Sequence, residues 1–481
     1  MSLNKSIDLN KETKKGASWT TIASLVSSLS QLILTIILSR YLDHADFGLM
    51  AVALFVINFS QIFVDIGISN AIIHRQDITK KELDSLYWLN ILMGFLIFIL
   101  INVSKEYIAE FYNSKNLVPV LSVISYTFLI QPLGAQFNVL LRKNLLFKSL
   151  AKRSIFAQLS GLVAGIALAI LGYGVYALVY STLINTVVGT LLVVLEGLKF
   201  HKPALYFSYQ NVKTYMSFGL YQLGEKLMNY LNSDVDTLII GKFVGVESLG
   251  VYSLAKNFIS KPYQVINPIL TKIGFPLMAK VQNDNHILQR FYKGIVTILS
   301  YINFPLHLFV FAFPELVVNI IFGDKWDQAI IPLKILALCY LLRSTMNPIG
   351  SLQLAKGKAN YGFYWNLVQF LALPLVMYLS SFWGIIGICI GITLFQFVMF
   401  SVIGKVMVEK LCGLRIKEYY AIFIKPFVYC FISYLVTKLS LQIIEFDSII
   451  IDFLYTGIVF ISFYGIIVYV KDRKILKNVL L

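Results

Sequence analysis

The chain has 481 residues, of which 58% are hydrophobic and 14% are charged, and its formal net charge is +16. Its mean hydropathy is +0.74. A soluble domain could not bury this much apolar surface, so the composition excludes an ordinary water-soluble protein and predicts a polytopic membrane protein.

The pattern of apolar runs predicts an all-α fold with fourteen transmembrane helices. In chain order their predicted ranges are 17–42, 45–72, 83–103, 117–140, 154–171, 174–195, 219–244, 247–271, 295–322, 331–354, 361–381, 384–404, 419–438 and 448–470. We expect three domains. Residues 1–205 form an N-lobe of six helices, residues 206–412 form a C-lobe of six, and residues 413–481 add helices thirteen and fourteen.

A repeated motif supports the two lobes. The segment SRYLDHADFGLMAVA at 39–53 returns 202 positions later as GKFVGVESLGVYSLA at 241–255, so that Gly48 matches Gly250. Each repeat holds an even number of helices, and both repeats must therefore have the same orientation, related by a pseudo-two-fold axis along the membrane normal. Paired halves of this kind are typical of transporters.

Positive charge is unevenly distributed along the chain. Most of the 41 Lys and Arg residues lie in the N-terminal tail, the even-numbered loops and the C-terminus, including the basic runs 74–81, 142–153 and 471–477. This asymmetry predicts that both termini are cytoplasmic. The charge then sets topology and contacts anionic membrane lipid, so we expect no nucleic-acid partner.

Polar side chains recur at helical spacing inside the predicted helices. In helix seven, Glu225, Asn229, Asn232 and Asp236 are spaced 4, 3 and 4 and lie within about 60° of arc. Such a stripe is unfavourable in lipid and is expected to face a water-filled cavity. The residues predicted to form a polar cavity are Gln31, Asn58, Gln61, Asn229, Asn232, Asn267 and Asn347.

Ionisable residues at mid-helix cost roughly 2.5–3.5 kcal/mol each on insertion scales, which favours functional roles. The acidic candidates, for ion coupling, are Asp65, Glu225, Asp234 and Asp236. The basic candidates are Arg343, Lys256 and Lys261. Two other interpretations stay open: the helix-seven charges reach the two membrane surfaces, and Asp65 is a structural carboxylate held by a neighbouring amide.

Enzymatic motifs are missing from the sequence. There is no phosphate-binding loop, nucleophile elbow or dinucleotide fingerprint, and the four cysteines and five histidines have no metal-ligand spacing. We therefore expect neither an enzyme nor a metal or cofactor site.

Several motifs together resemble a known family. They are the segment 15–19, SRYLDHADFGLMA (39–51), FVDIGISNAIIHRQ (63–76), LLRKNLLFKSLAKRS (140–154), NSDVDTLIIGKFVGVESLGVYSLA (232–255) and FPLMAKVQND (275–284). Jointly they resemble the polysaccharide repeat-unit flippases of the multidrug/oligosaccharidyl-lipid/polysaccharide exporter superfamily. The branch they resemble contains the colanic acid and teichuronic acid exporters.

The resemblance implies a flippase in the bacterial cytoplasmic membrane that moves an undecaprenyl-pyrophosphate-linked oligosaccharide to the outer leaflet. Alternating access, driven by a gradient of H⁺ or Na⁺, is implied as well. Arg343 and Lys256 then become candidate partners of the pyrophosphate, and the amides suit sugar hydroxyls. A polysaccharide polymerase or other assembly machinery is an implied partner.

Three alternatives remain from the sequence. The first is a multidrug antiporter of the same superfamily, and the second is a flippase for the peptidoglycan precursor. The third is a membrane polysaccharide polymerase, which is disfavoured because the predicted outer loops are too short for a catalytic domain.

Overall fold

The computed structural model describes most of the chain. Its backbone is described for residues 2–64, 69, 72–73, 75, 77–444 and 446–480. Side chains are described for the same residues except 2–15, 17, 211, 214, 216–222, 225, 273, 359 and 474–480. The described residues form helices joined by short loops, with no β-strand among them.

The helices follow one another closely along the chain. They are α1 (Ser2–Tyr41), α2 (His44–Val64), α3 (Lys80–Phe111), α4 (Leu117–Ile124), α5 (Thr127–Lys143), α6 (Phe147–Ile170), α7 (Val175–Gly197), α8 (Tyr209–Phe243), α9 (Val246–Lys280), α10 (Asn285–Ala312), α11 (Pro314–Ile321), a 3₁₀ turn (Asp324–Ala329), α12 (Ile330–Met346), α13 (Ile349–Ala355), α14 (Ala359–Ser381), α15 (Gly384–Val402), a π-helical turn (Ile403–Val408), α16 (Glu409–Cys412), α17 (Ile416–Leu441) and α18 (Ile449–Leu480). Within the described part of the chain, twelve helical segments are long and apolar enough to cross a membrane. The prediction of an all-α polytopic membrane protein is thereby confirmed.

The chain divides into two compact units, residues 1–250 (unit 1) and 251–481 (unit 2). The three domains expected from the sequence, with boundaries at 205 and 412, stay predictions.

Three predicted helices are interrupted within the described part of the chain: helices four and ten, and helix nine, which is divided at Phe313 into α10 and α11. Predicted helix four becomes α4 and α5, with a break at Ser125 and Tyr126. There the Ser125 and Thr127 hydroxyls each donate to a carbonyl three residues back, at 2.8 Å, and so compete with regular helical bonding. Predicted helix ten becomes α12 and α13, with the break at Pro348, which has no N–H to donate.

In unit 2, side chains from other helices satisfy carbonyls that prolines leave without a helical partner. Pro348 cannot donate to the carbonyl of Ser344, and this oxygen instead accepts from Asn267 Nδ2 at 2.6 Å. Pro305 likewise frees the carbonyl of Tyr301, which accepts from the Tyr464 hydroxyl at 2.8 Å. Hydrogen bonds between helices therefore satisfy the carbonyl that each of the two prolines leaves without a helical donor.

In unit 1, small residues bring α6 and α7 into close contact. Ala157, Gly161, Gly165 and Ala169 recur every four residues on α6, and all four are buried. The Ser181 hydroxyl of α7 donates to the carbonyl of Gly161 at 2.8 Å. A Cβ on Gly161 would lie only 2.7 Å from the Ser181 carbonyl oxygen, so the close approach requires glycine.

The segment that follows α7 is fastened to the start of α3. Asp84 Oδ1 accepts from the backbone N–H of Ala204 at 2.9 Å, and Trp88 Nε1 donates to the carbonyl of Ala204 at 2.8 Å. His201 Nε2 lies 3.1 Å from the same Asp84 oxygen. Burial lowers the pKa of His201, although the Asp84 carboxylate opposes this effect.

Candidate functional site

Unit 1 contains two adjoining hollows, which we call together the polar cavity. The larger has a volume of about 750 Å³ and is lined by α1, α5, α6 and α7. The smaller has a volume of about 480 Å³, and its lining adds residues of α2 and α8. The two hollows share the lining residues Asn138, Arg142, Asn185, Gly189 and Val193.

Small side chains leave this space between the helices. Gly134 and Ala135 of α5, Ala157 of α6 and Gly189 of α7 all line the polar cavity. Helix α1 contributes short hydroxyl side chains, of which Ser24 donates to the carbonyl of Thr20 at 2.9 Å. Hydroxyls bonded to their own helix keep lone pairs for a ligand.

The charged side chains of the polar cavity are basic. They are Arg142, Arg153 and Lys226, and its described lining includes no Asp or Glu. Arg153 forms an ion pair with Glu196, which also accepts from the Ser149 hydroxyl at 2.6 Å. Arg142 is exposed, and its side chain makes no ion pair or hydrogen bond within the described part of the chain.

The remaining polar lining consists of amides and hydroxyls. Gln61, Gln131, Asn138, Asn185 and Thr186 line the smaller hollow. Asn185 Nδ2 donates to Gln158 Oε1 at 3.3 Å, which leaves other atoms of the Asn185 amide able to bond a ligand. Such a surface suits a ligand that carries many hydroxyl groups.

The side chains that line the cavity can bind a ligand. Among the described residues, no cluster of His, Cys, Asp and Glu could hold a metal ion. All four cysteines are free and buried, and none lines the polar cavity. The arrangement can bind an anionic group that carries hydroxyls.

The predicted site residues of unit 1 are only partly brought together. Gln61 lines the polar cavity, whereas Gln31 and Asn58 are exposed on α1 and α2 and do not line it. Asp65 lies outside the described residues, and so does the side chain of Glu225.

The other predicted residues of α8 differ in burial. Asn229 is exposed, Asn232 and Asp234 are half-buried, and Asp236 is 7% exposed. Asp236 Oδ1 accepts from the backbone N–H of Thr237 at 2.8 Å. None of the four lines the polar cavity, and their roles stay predictions.

The remaining predicted residues lie in unit 2. Arg343 Nε donates to Gln396 Oε1 at 3.4 Å, and its guanidinium lies 5.4 Å from the centroid of the Tyr340 ring. Asn347 Nδ2 donates to the Tyr263 hydroxyl at 3.2 Å.

Three further predicted residues complete this set. Lys256 is half-buried and Lys261 is buried. Asn267 is 1% exposed and bonds the Ser344 carbonyl described above. The predicted substrate contacts of these unit 2 residues stay predictions.

Sequence reasoning misses Arg142, Asn138 and Asn185. Predicted helix four ends at 140, which places Arg142 in a cytoplasmic loop, whereas α5 continues to Lys143. The sequence does contain a pattern that identifies the cavity face of α5. Gln131, Asn138 and Arg142 are spaced 7 and 4 residues apart and therefore share one face of a helix.

Comparisons with known proteins bear on the family and on the fold. The model of a family described as "Polysaccharide biosynthesis protein" matches residues 37–331, more than half of the chain. The lipopolysaccharide biosynthesis protein WzxC of Escherichia coli is 32% identical over 440 residues, covering 91% of this chain and 89% of WzxC. The teichuronic acid biosynthesis protein TuaB of Bacillus subtilis is 32% identical over 421 residues, covering 87% of each chain.

The fold has a counterpart among solved structures. The lipid II flippase MurJ, in an inward closed conformation, superposes with a TM-score of 0.75 at 14% identity, covering 95% of this chain and 99% of MurJ. At this identity the likeness concerns the fold alone. The resemblance noted in the sequence motifs is confirmed, and the chain belongs to the polysaccharide biosynthesis protein family.

Proposed function

We propose that this protein is a flippase for polysaccharide biosynthesis. It moves undecaprenyl-pyrophosphate-linked oligosaccharide repeat units from the cytoplasmic to the outer leaflet of the bacterial cytoplasmic membrane by alternating access. The observation that carries the proposal is the polar cavity, whose described charged lining is basic and lies among membrane-spanning helices. Membership of the family supports the same substrate class.

Arg142 is the proposed partner of the pyrophosphate. Arg142 lines both hollows, and its side chain forms no ion pair with a carboxylate in the described part of the chain. A guanidinium can form two parallel hydrogen bonds with phosphate oxygens. Lys226, in the smaller hollow, adds a second positive charge.

The amides and hydroxyls of the polar cavity are the proposed partners of the sugars. Hollows of about 750 and 480 Å³ fall in the range of ligand-binding cavities. Gln131, Asn138 and Asn185 can each donate and accept hydrogen bonds, as sugar hydroxyls do.

Fourteen crossing helices and two cytoplasmic termini form the proposed topology, with six helices in each lobe and two more at the C-terminus. Helices α8 and α9 supply the two crossings beyond the twelve segments noted above. Each has 35 residues and is about 52 Å long, which exceeds a 30 Å hydrocarbon core. Cysteine labelling tests this proposal, because a thiol at Asn113 should react from outside and one at Lys148 only from inside.

An ion gradient of H⁺ or Na⁺ is the proposed energy source, and Asp236 is the proposed coupling group. A carboxylate on a membrane helix that is only 7% exposed can exchange an ion when its surroundings change during the cycle. The protein would act by transport without covalent chemistry, and would pass its substrate to a polysaccharide polymerase.

Transport of the peptidoglycan precursor is a second candidate, favoured by the fold shared with MurJ. A multidrug antiporter is less well supported, because a basic cavity disfavours cationic drugs.

The test uses purified protein in vesicles that contain lipid-linked oligosaccharides extracted from a polysaccharide-producing bacterium. A membrane-impermeant lectin reports the oligosaccharide that reaches the opposite leaflet. We expect transport of these lipids, with little transport of lipid II in parallel vesicles. The reverse preference would favour the second candidate, and transport of neither lipid would contradict the proposal.

A further inference from the structure

Unit 2 contains a hollow of its own between α10 and α17, with a volume of about 300 Å³, which we call the α10–α17 pocket. Its lining residues are Lys293, Thr297 and Tyr301 of α10, and Glu418, Ala421, Ile422 and Lys425 of α17. The pocket therefore combines two ammonium groups, a carboxylate and two hydroxyls. None of these residues lines the polar cavity of unit 1.

One wall of the α10–α17 pocket is held in place by Asp472, near the end of α18. Asp472 Oδ1 accepts from Lys425 Nζ at 2.9 Å. Asp472 Oδ2 accepts from the Tyr301 hydroxyl at 2.9 Å and from the Tyr429 hydroxyl at 2.7 Å. Tyr301 is buried, and the Asp472 side chain is 12% exposed. These bonds hold the Lys425 ammonium at the pocket, and because an ammonium has three N–H donors, Lys425 can also donate to a ligand.

Two other charged side chains of the pocket are available to a ligand. Neither the Lys293 ammonium nor the Glu418 carboxylate makes an ion pair or hydrogen bond within the described part of the chain. Both residues are exposed. A purely anionic ligand would be repelled by Glu418, and a purely cationic ligand would be repelled by Lys293 and Lys425. The pocket therefore suits a ligand that carries one group of each sign.

The face of α17 that lines the pocket continues into an apolar surface. Glu418, Ala421, Lys425, Val428 and Ile432 are spaced 3, 4, 3 and 4 residues apart and therefore share one face of the helix. Lys425 lies roughly 10 Å beyond Glu418 along the helix axis, and Val428 and Ile432 follow it. These two apolar residues are 41% and 40% exposed, on a helix long and apolar enough to cross a membrane. The face thus presents, in order, a carboxylate, an ammonium and apolar side chains.

This order complements the chemistry of one class of phospholipid. A phospholipid with an ethanolamine head group carries a terminal primary ammonium, then a phosphate, then acyl chains. Its ammonium can donate to Glu418, its phosphate can accept from Lys425 and Lys293, and its chains can lie along the apolar face. A choline head group has no N–H to donate, and a glycerol head group has no positive charge. Neither of these would match the Glu418 carboxylate.

We propose that the α10–α17 pocket binds a phospholipid of the ethanolamine class from the surrounding membrane. This lipid is distinct from the transported substrate, because the pocket shares no lining residue with the polar cavity. Tyr301 of α10, Lys425 of α17 and Asp472 of α18 meet beside the pocket. The bound lipid therefore stabilises the packing of these three helices.

Lipid retention by the purified protein tests the proposal. The full chain in detergent is incubated with equal amounts of phosphatidylethanolamine, phosphatidylcholine and phosphatidylglycerol, and native mass spectrometry identifies the lipids that it retains. We expect phosphatidylethanolamine to be retained several-fold more than either of the others. Equal retention of the three, or a preference for either of the other two, would overturn the proposal.

A soluble analogue distinguishes a membrane lipid from a free head group. Glycerophosphoethanolamine has the same charged groups but no acyl chains, so we expect it to be retained far less than phosphatidylethanolamine. Equal retention of the two would show that the apolar face of α17 does not contribute, and would overturn the assignment to a membrane lipid. Both measurements are made without transport, so their outcome is separate from that of the proposed function.

Substitutions test whether the lipid binds in this pocket. Glu418→Gln and Lys293→Gln should each lower retention of phosphatidylethanolamine several-fold, and Glu418→Lys should shift the preference towards phosphatidylglycerol. Lys417→Gln and Glu106→Gln are matched controls, since both residues are exposed and neither lines the pocket. All these positions are exposed, so the variants should fold normally. Unchanged retention by both Glu418→Gln and Lys293→Gln would overturn the proposal.

Discussion

Units 1 and 2 use polar side chains inside their membrane helices in different ways. In unit 1, amides and basic groups of α5, α7 and α8 line open space. In unit 2, Asn267 and Tyr464 donate to carbonyls that Pro348 and Pro305 leave without a helical partner. The same residue types therefore line an open cavity in one unit and fix the backbone in the other.

The difference shows that helical spacing alone does not reveal what a polar stripe faces. Asn138 and Asn267 are both amides on membrane helices, yet Asn138 lines a cavity while Asn267 is 1% exposed. What separates them is the neighbouring helix. Small residues next to Asn138 leave space, and a proline-freed carbonyl lies next to Asn267.

The largest expected effect concerns Arg142. Arg142→Gln should lower transport of lipid-linked oligosaccharide about 10- to 100-fold, because a hydrogen bond to a charged group contributes about 1.5–3 kcal/mol. Arg142→Lys should keep part of the activity through its charge, and folding should be unaffected. The measurement is the lectin assay in vesicles.

Arg290→Gln is the matched control, since Arg290 is exposed on α10. If Arg142→Gln transported at the wild-type rate, the polar cavity would not be part of the substrate pathway. The proposed functional difference between units 1 and 2 would then be contradicted as well.

A second prediction compares two acids of α8. Asp236→Asn should abolish the response of transport to an imposed H⁺ or Na⁺ gradient while substrate binding persists, because the neutral amide cannot exchange an ion. Asp234→Asn should have a weaker effect, since Asp234 is only half-buried. Transport is measured in vesicles with each gradient in turn, and an equal gradient response of Asp236→Asn and wild type would exclude Asp236 as the coupling group.

A third prediction concerns stability in unit 2. Asn267→Ala should lower the free energy of unfolding by about 1–3 kcal/mol, because the buried Ser344 carbonyl loses its donor. Asn229→Ala, which changes an exposed amide on α8, should alter it by less than about 0.5 kcal/mol. Denaturant unfolding in detergent, followed by tryptophan fluorescence, measures both variants. Equal stability of the two would show that the amides of unit 2 are not structural.

The smallest expected effect concerns the segment after α7, where unit 1 uses polar groups structurally. Burial lowers the pKa of His201 while the segment is bound to α3, so a proton binds more readily once the segment has detached. Binding of the segment to α3 should therefore weaken as the pH falls below the ordinary histidine pKa of about 6.5. The Asp84 carboxylate raises the pKa of His201 and so opposes the effect of burial, whereas Lys80 lowers this pKa further. The protection factors of the amides of residues 201–208 against hydrogen exchange should therefore fall in acid, and His201→Gln should remove this dependence. Protection factors that do not change with pH in the wild type would contradict the prediction.

The fold is largely predictable because membrane helices need long apolar runs. The positions at which helices break are not predictable, because the interruption at Ser125 depends on hydroxyl side chains that also occur within unbroken helices. The candidate site is predictable only in part. Gln61 is identified from its stripe, but Arg142 is assigned to a loop because basic residues at helix ends usually mark topology.

Asn267 illustrates the remaining limit in physical terms. Its stripe resembles that of Asn232, and sequence spacing predicts a cavity for both. Its actual bond is to the carbonyl of Ser344, which lies 77 residues away in the chain. Contacts between residues so far apart in the chain depend on which helices pack together. The spacing of residues within one helix gives no information on that packing.

The bond between Tyr464 and the carbonyl freed by Pro305 has a consequence for how the sequence can vary. A chain that lost Pro305 would regain a backbone donor for that carbonyl, and the Tyr464 hydroxyl would then share its acceptor with that donor. A chain that lost the hydroxyl while it kept Pro305 would leave a buried carbonyl unsatisfied. Loss of the hydroxyl is therefore tolerated only where the proline is absent as well, so we expect the two positions to covary among relatives.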